Sequence, residues 1–323
     1  MLKETSELQH SAEDGGPWRN EEFHLVIGVP AFNVEKTIAK VALQAFEHSD
    51  DVIVCDDGSQ DTTAAIAKRI GCDVVQHEHN RGYGSALKTI IERARQKGAD
   101  ILVTVDGDAQ HNLGDISTLI QPILDGKADM VIGSRFIGKR NYGSTPGTRK
   151  IGIKLITKLT TSITSQQVTD AQSGLRAYGK RAISSLNPGE QGMGASTEIL
   201  LLAEDMGLRV LEVPTTINYR IGKTSTLNPI LHFADVVSST IKVASIRHPL
   251  MTYGTPGIAF LLLSLVFGAR TVQAFANQGQ FDTAAALVSI AVAIIGTILS
   301  ITALLLFVLV TVIREERRND TTP

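Results

Sequence analysis

The chain has 323 residues, of which 43% are hydrophobic and 20% charged, with a formal net charge of −2. The balanced charge argues against a nucleic-acid surface, and two cysteines, Cys55 and Cys72, provide no disulfide framework. The length accommodates one substantial domain and something more.

Residues 1–22 are polar, carry Glu13-Asp-Gly-Gly-Pro17 and lack the apolar core of a secretory signal, so they read as a mobile tail. From Phe23 onward, short β-branched runs alternate with helical stretches. Strands are expected at Leu25–Val29, Asp51–Cys55, Asp73–Val75 and Ile101–Val105, and helices over 35–46, 62–70 and 85–96. This alternation predicts an α/β fold with a mostly parallel sheet and helices on both faces. Such sheets bind ligands beyond the carboxyl ends of their strands. The segments there are Pro30-Ala-Phe-Asn33, Asp56-Asp-Gly-Ser59, His77-Glu-His-Asn-Arg-Gly-Tyr-Gly84 and Asp106-Gly-Asp-Ala-Gln110. Each alone fits a turn or a helix cap. Four at successive strand ends point to a site.

Further along, Lys150, Lys154 and Lys158 recur every fourth residue beside Ile151, Leu155 and Leu159, a basic column next to an apolar one. That pattern suits an anionic membrane surface or packing on the core. The segment 229–247 places Ile230, Phe233, Val237, Ile241 and Ala244 on one helical face. Two runs then lack any Asp, Glu, Lys or Arg: Pro249–Ala269 and Ala284–Ile313. Each reaches the roughly 20 residues that a helix needs to cross a bilayer. The connector Asn277–Thr283 has no positive charge, whereas Arg247 precedes the first run and Arg314, Arg317 and Arg318 follow the second. Positive flanks mark the cytosolic side, so both ends and the large domain are expected in the cytosol. Arg270, near the outer end of the first run, can extend its stem to the interface.

Asp106 and Asp108 flank one glycine directly after an apolar strand, so both carboxylates can approach one hard cation, with Gln110 adding a carbonyl oxygen. Mg2+ and Mn2+ prefer such oxygen ligands and bridge diphosphates well.

The ordered set VIGVPAFNVEKTI, VIVCDDGSQDTT, HNRGYGSALKTI and VTVDGDAQH resembles the nucleotide-binding half of the family 2 glycosyltransferases with the GT-A fold. The likeness runs over about residues 25–220 and is nearest to the polyprenyl- and dolichyl-phosphate sugar synthases. The resemblance implies an inverting transfer of a sugar from a nucleoside diphosphate, UDP-hexose ahead of GDP-mannose, to dolichyl or polyprenyl phosphate. It places Pro30, Asn33 and Glu35 in the nucleotide pocket, Asp57 on the base, and Arg81 and Gly82 in the base and ribose loop, with Lys88 nearby. Asp106, Asp108 and Gln110 would hold Mg2+ or Mn2+ and the diphosphate, and Arg135, in Gly133-Ser-Arg135, would face a phosphate. A structural role for Arg135, pairing with an acid at the sheet edge, is the alternative.

The block Thr169-Asp-Ala-Gln-Ser-Gly-Leu-Arg176 resembles the family's Asp-x-x-Ser-Gly-Phe-Arg block, which implies that Asp170 is the carboxylate nearest the reacting centre, as base or orienting group, with Glu198 beside it. Tyr219-Arg-Ile-Gly-Lys-Thr-Ser225 resembles the family's acceptor-phosphate loop, giving Arg220, Lys223 and Ser225 to that phosphate. The family's final Lys is Ser225 here, and a lysine stands two places earlier as Lys223. The expected organisation is a tail at 1–22, a GT-A catalytic domain at 23–227, an amphipathic helix at 228–248, two transmembrane helices within 249–313 and a cytosolic tail at 314–323. Sugar nucleotide, lipid phosphate and bilayer are the expected partners, with self-association left open. A polysaccharide-building enzyme would carry more spans and a QxxRW-like motif, yet Trp18 in the tail is the sole tryptophan. A membrane-bound relative using another acceptor is the remaining alternative.

Overall fold

The computed structural model describes residues 23–137, 153–154, 156–158, 160–161, 164, 166–192, 194–217, 238, 245, 248–278 and 282–320, with side chains of the last helix described to residue 312. The chain divides into two compact units, 1–239 and 240–323.

The first unit is built on a seven-stranded sheet: β1 (Leu25–Ala31), β2 (Asp51–Asp56), β3 (Asp73–Gln76), β4 (Ile101–Thr104), β5 (Met130–Ser134), β6 (Arg176–Gly179) and β7 (Val210–Pro214). The spatial order is β3-β2-β1-β4-β6-β5-β7. Its first half is the parallel run expected from the alternating sequence: β1 pairs with both β2 and β4, and β2 with β3. β6 breaks the pattern by running antiparallel to β4 and to β5. Between β1 and β4 the order reverses, and a doubly wound sheet opens its ligand crevice at such a reversal.

Helices α1 (Ile38–Phe46), α2 (Thr63–Ile70), α3 (Tyr83–Gln96), α4 (Ile116–Leu124), α5 (Lys180–Ser185) and α6 (Ala195–Asp205) complete the unit. Strands buried on both faces read as continuous apolar runs, which explains why Leu25–Val29 and Ile101–Val105 do not alternate. One face of the sheet is covered by Ile38, Val41, Ala45, Ile116 and Leu119, the other by Leu87, Ile90, Ile91, Ile199 and Leu200. α1 begins three residues later than the sequence suggests, because residues 35–37 form a turn in which the Thr37 hydroxyl donates to the Val34 and Gly107 carbonyls. Of the basic column, Lys154 and Lys158 are exposed while Ile153, Ile156, Thr157 and Thr160 are buried, so part of this segment packs on the core. Lys150, Ile151, Leu155 and Leu159 lie outside the described residues, as do the five apolar positions read on 229–247.

The second unit holds a short π-helical turn, Leu250–Gly254, followed by α7 (Thr255–Gln278) and α8 (Thr283–Asp320). Leu250–Asn277 and Thr283–Val312 are long and apolar enough to cross a membrane. Leu262, Leu265, Leu304 and Leu305 all point outward, a surface that fits association with lipid. The helices meet along small residues. A Cβ on Gly257 would fall 2.6 Å from the Ser300 hydroxyl, and one on Gly296 would fall 2.9 Å from the Gly257 carbonyl oxygen. Ser289 donates across the seam to the Ser264 carbonyl at 2.9 Å. In an apolar medium, close backbone approach and such hydrogen bonds are what hold helices together.

A Gly257→Leu substitution is therefore expected to wedge the two helices apart and cost about 1–3 kcal/mol. Leu262→Ala, on the outward face, should change little. Thermal unfolding of the purified protein in micelles distinguishes the two, and equal midpoints for both variants would contradict this packing.

Candidate active site

The carboxyl ends of β1, β2 and β4 lie side by side, and the loops that follow them are stitched together. After β1, the Asn33 amide donates to the Ser59 hydroxyl at 2.9 Å, and the Asn33 side-chain oxygen accepts from the Gln60 amide at 2.9 Å. Glu35 accepts from the Thr62 hydroxyl at 2.8 Å and the Thr62 amide at 3.2 Å, so it anchors the start of α2. Pro30 is buried within β1, its carbonyl oxygen 3.2 Å from the Cβ position of Gly107. The three residues assigned to the nucleotide pocket thus occupy β1 and the loop after it, beside the loops after β2 and β4.

Asp57 is buried, and both its oxygens are engaged. The amides of Arg81 and Gly82 donate to it at 2.9 and 2.8 Å, and the His77 ring nitrogen Nδ1 lies 2.7 Å away. The carboxylate thereby shapes the 77–82 loop. Gly82 has φ +94°, which a side chain would resist, and a Cβ there would collide with the Gln191 carbonyl. Glu198, in the first turn of α6, accepts from the Gly189 and Glu190 amides and fixes the segment that meets Gly82. Lys88 lies 3.9 Å from Glu92 on its own helix.

After β4, Asp106, Asp108 and Gln110 are partly exposed while Gly107 and Ala109 are buried. Three oxygen-bearing side chains thus stay partly exposed along one short loop. The loop is fixed by the Thr37 hydroxyl on the Gly107 carbonyl at 2.7 Å and by the Gln110 amide on Asp108 at 3.0 Å. Asp106 accepts from His111 Nε2 at 3.1 Å and from the Tyr83 hydroxyl at 3.4 Å. Its carboxylate rests on Gly174, where a Cβ would overlap both oxygens. Burial would raise its pKa, but the His111 hydrogen bond and the nearby charge of Arg135 outweigh this and hold the carboxyl below the usual range. Burial, and then the Asp106 charge, push the Tyr83 phenol well above its ordinary value.

Among the described residues no three His, Cys, Asp or Glu side chains converge on one point. Asp106, Asp108 and Gln110 offer two carboxylates and an amide. This fits a hard ion of the Mg2+ or Mn2+ type that completes its shell with phosphate oxygens and water, and does not fit an all-protein cage.

Arg135 follows β5 and is buried against Asp170, which is fully buried. Its guanidinium donates through Nε and Nη2 to the two Asp170 oxygens, each at 2.5 Å, and its amide donates to the same carboxylate at 3.1 Å. Arg135 and Asp170, both read as residues of the reacting centre, are thus brought together as a bidentate pair. Glu212 on β7 accepts from the Asp170 amide at 3.0 Å and the Thr169 amide at 2.8 Å, and burial pushes its carboxyl up. Arg176 is buried too, its guanidinium satisfied by the Ala171, Ser173 and Ser196 carbonyls. Arg220, Lys223 and Ser225 lie outside the described residues.

Sequence reasoning did not single out His111, Tyr83 or Glu212. The sequence did carry a signal for His111, which stands directly after Gln110 in a motif already chosen.

A parallel α/β sheet with carboxylates gathered at its reversal defines the class of GT-A nucleotide-sugar transferases. The profile of Glycosyl transferase family 2 matches residues 26–186. The UDP-N-acetylglucosamine–dolichyl-phosphate N-acetylglucosaminyltransferase of Methanococcus voltae is 34% identical over 206 residues, 58% of this chain and 82% of that protein. The dolichyl-phosphate hexose transferase of Haloferax volcanii is 27% identical over 221 residues, 68% of this chain and 93% of its own. Among solved structures, glucosyl-3-phosphoglycerate synthase from Mycobacterium tuberculosis, in complex with Mn2+, UDP and glucosyl-3-phosphoglycerate, superposes with a TM-score of 0.51 at 21% identity, covering 68% of this chain and 80% of that one. The chain belongs to glycosyltransferase family 2. It is a glycosyltransferase related to the dolichyl-phosphate sugar transferases.

Breaking one half of the buried pair leaves an uncompensated charge, so Asp170→Leu or Arg135→Met alone should cost about 3–5 kcal/mol, whereas the two combined should recover a large part of that stability. Denaturant unfolding of the unsubstituted protein, the two single variants and the double variant completes the double-mutant cycle. Strictly additive losses would contradict a coupled pair.

Proposed function

We propose that this protein transfers a sugar from a nucleoside diphosphate, UDP-hexose ahead of GDP-mannose, to dolichyl or polyprenyl phosphate at the cytosolic face of a membrane. The observation that carries this reading is the loop that holds Asp106, Asp108 and Gln110, all partly exposed, at the reversal between β1 and β4. The two dolichyl-phosphate transferases to which the chain is similar support the acceptor, and the Mn2+ and UDP held by its structural neighbour support the donor and ion. A divalent Mg2+ or Mn2+ held by these three residues would offset the charge that develops on the departing diphosphate.

The chain's own residues do the positioning. Pro30, Asn33 and Glu35, with the 77–82 loop that Asp57 organises, form the wall against which the nucleotide lies. A phosphate monoester has its second pKa near 6, so the acceptor arrives largely ionised and needs little from a base. That suits Asp170, whose oxygens are both committed to Arg135. Asp170 acts as the orienting group, and Arg135, with Arg220, Lys223 and Ser225, offsets the repulsion between acceptor and donor phosphates. Glu198 acts through the 189–190 loop. Attack in line with the departing diphosphate inverts the anomeric centre. In this reading the chain is ordered as a catalytic domain at 23–227, an amphipathic segment at 228–248 and a membrane hairpin within 249–313.

Protein reconstituted in vesicles, given labelled UDP- or GDP-sugars, polyprenyl phosphate and Mn2+, should place label in the lipid, with a UDP-hexose ahead. Chelator should stop the transfer, and Asp108→Ala should lower it by about 100-fold or more while the fold persists. Free sugar accumulating with no labelled lipid would contradict the acceptor, and full turnover in chelator would contradict the ion.

Orientation has its own test. Cys55 and Cys72 are buried, so a single Asp282→Cys variant, at an exposed position between the two long apolar helices, carries a readily reached thiol. An impermeant maleimide added to intact cells should label it, and labelling only after lysis would reverse the topology.

A further inference from the structure

We infer that His111 and Tyr83 are positioning residues that lock the Asp106 carboxylate in the orientation needed to take a divalent cation. This rests on the proposed metal role of Asp106. An aspartate on an open loop samples several rotamers, and an ion bound by only two carboxylates loses affinity if either must be ordered on binding. Asp106 is ordered beforehand. His111 holds one oxygen at 3.1 Å from the loop itself, the Tyr83 hydroxyl approaches the other at 3.4 Å from the start of α3, and Gly174 closes the side beneath.

The imidazole is rigidly mounted. Its backbone forms an isolated antiparallel bridge with Ile217, the adjacent Asn112 amide donates to the Thr216 carbonyl at 3.3 Å, and the Asn112 side chain accepts from Gly114 at 3.2 Å. The side chain is 4% exposed. Among the described residues, the other ring nitrogen, Nδ1, is buried and has no hydrogen-bond partner. A histidine serving the fold alone gains nothing from that arrangement, because an unpaired buried polar atom costs stability. Its side-chain hydrogen bond goes to Asp106, the pattern by which outer-shell groups orient metal-binding carboxylates.

The substitutions that test this separate orientation from folding. His111→Leu removes the donor and also the unpaired nitrogen, and His111→Gln restores a donor near the place of Nε2. The full chain in micelles is titrated with Mn2+ alone, free ion being read by its paramagnetic resonance signal, with circular dichroism and thermal unfolding recorded in parallel. His111→Leu and Tyr83→Phe should retain the fold and bind Mn2+ more weakly, by about 10–100-fold for His111→Leu, while His111→Gln recovers much of the affinity. Asp106→Asn should lose binding altogether. If Asp106→Asn loses Mn2+ but His111→Leu and Tyr83→Phe bind as the unsubstituted protein does, the positioning role is wrong and the metal reading stands. If Asp106→Asn binds as tightly as the unsubstituted protein, the metal reading itself fails. A His111→Leu protein without folded structure assigns His111 to the fold and overturns its positioning role.

Discussion

The site depends on a buried ion pair whose arginine charge is felt by the partly exposed carboxylate of Asp106. Arg135 and Asp170 grip each other through two parallel hydrogen bonds, tying the end of β5 to the segment that leads into β6. Two charges out of water are costly unless their geometry is good and their remaining groups are satisfied. Here Glu212 accepts the Thr169 and Asp170 amides, and Arg176 gathers three carbonyls of neighbouring segments. The segment 169–176 is thereby pinned at both ends, and it delivers Gly174 beneath Asp106. A shift of this floor would move the carboxylate with it.

The parallel half of the sheet was readable because each strand is a short apolar run followed by turn-forming polar residues, and the reading failed only at helix and strand ends. α3 starts at Tyr83, two residues before Ser85, since the Gly84 amide is satisfied from outside by the Gln191 carbonyl. The antiparallel β6 between β4 and β5 was not readable, because Arg176–Gly179 is four residues long and its place depends on partners far along the chain. In the same way the sequence put Arg135 and Asp170 in one site but left open whether Arg135 faces a phosphate or an acid. The pairing across 35 residues of sequence is a tertiary fact. Tyr83 stands in the loop segment His77–Gly84 with nothing in the sequence to mark a role, and only the fold reveals that its hydroxyl reaches Asp106.

The two long apolar helices were legible from charge-free length alone, yet the seam between them was not. Glycine and serine are unremarkable inside an apolar run until Gly257 is set against Ser300 and Ser289 against Ser264. In the proposed function this hairpin keeps the enzyme at the surface where a lipid phosphate is found. On that proposal a phosphate acceptor needs neutralising cations more than a base, and the buried carboxylate of Asp170 is already held by an arginine.

The central claim is that one divalent ion sits between the Asp106–Gln110 loop and the donor's diphosphate. Pulsed electron–nuclear double resonance on Mn2+ bound to the protein with UDP tests it most directly, with a protein in which Asp106 and Asp108 are both replaced by asparagine as the reference. A phosphorus coupling that is present in the native protein and lost in the doubly substituted one is the result expected. Protein-bound Mn2+ that shows no phosphorus coupling, or a coupling unchanged by the substitutions, would contradict the account.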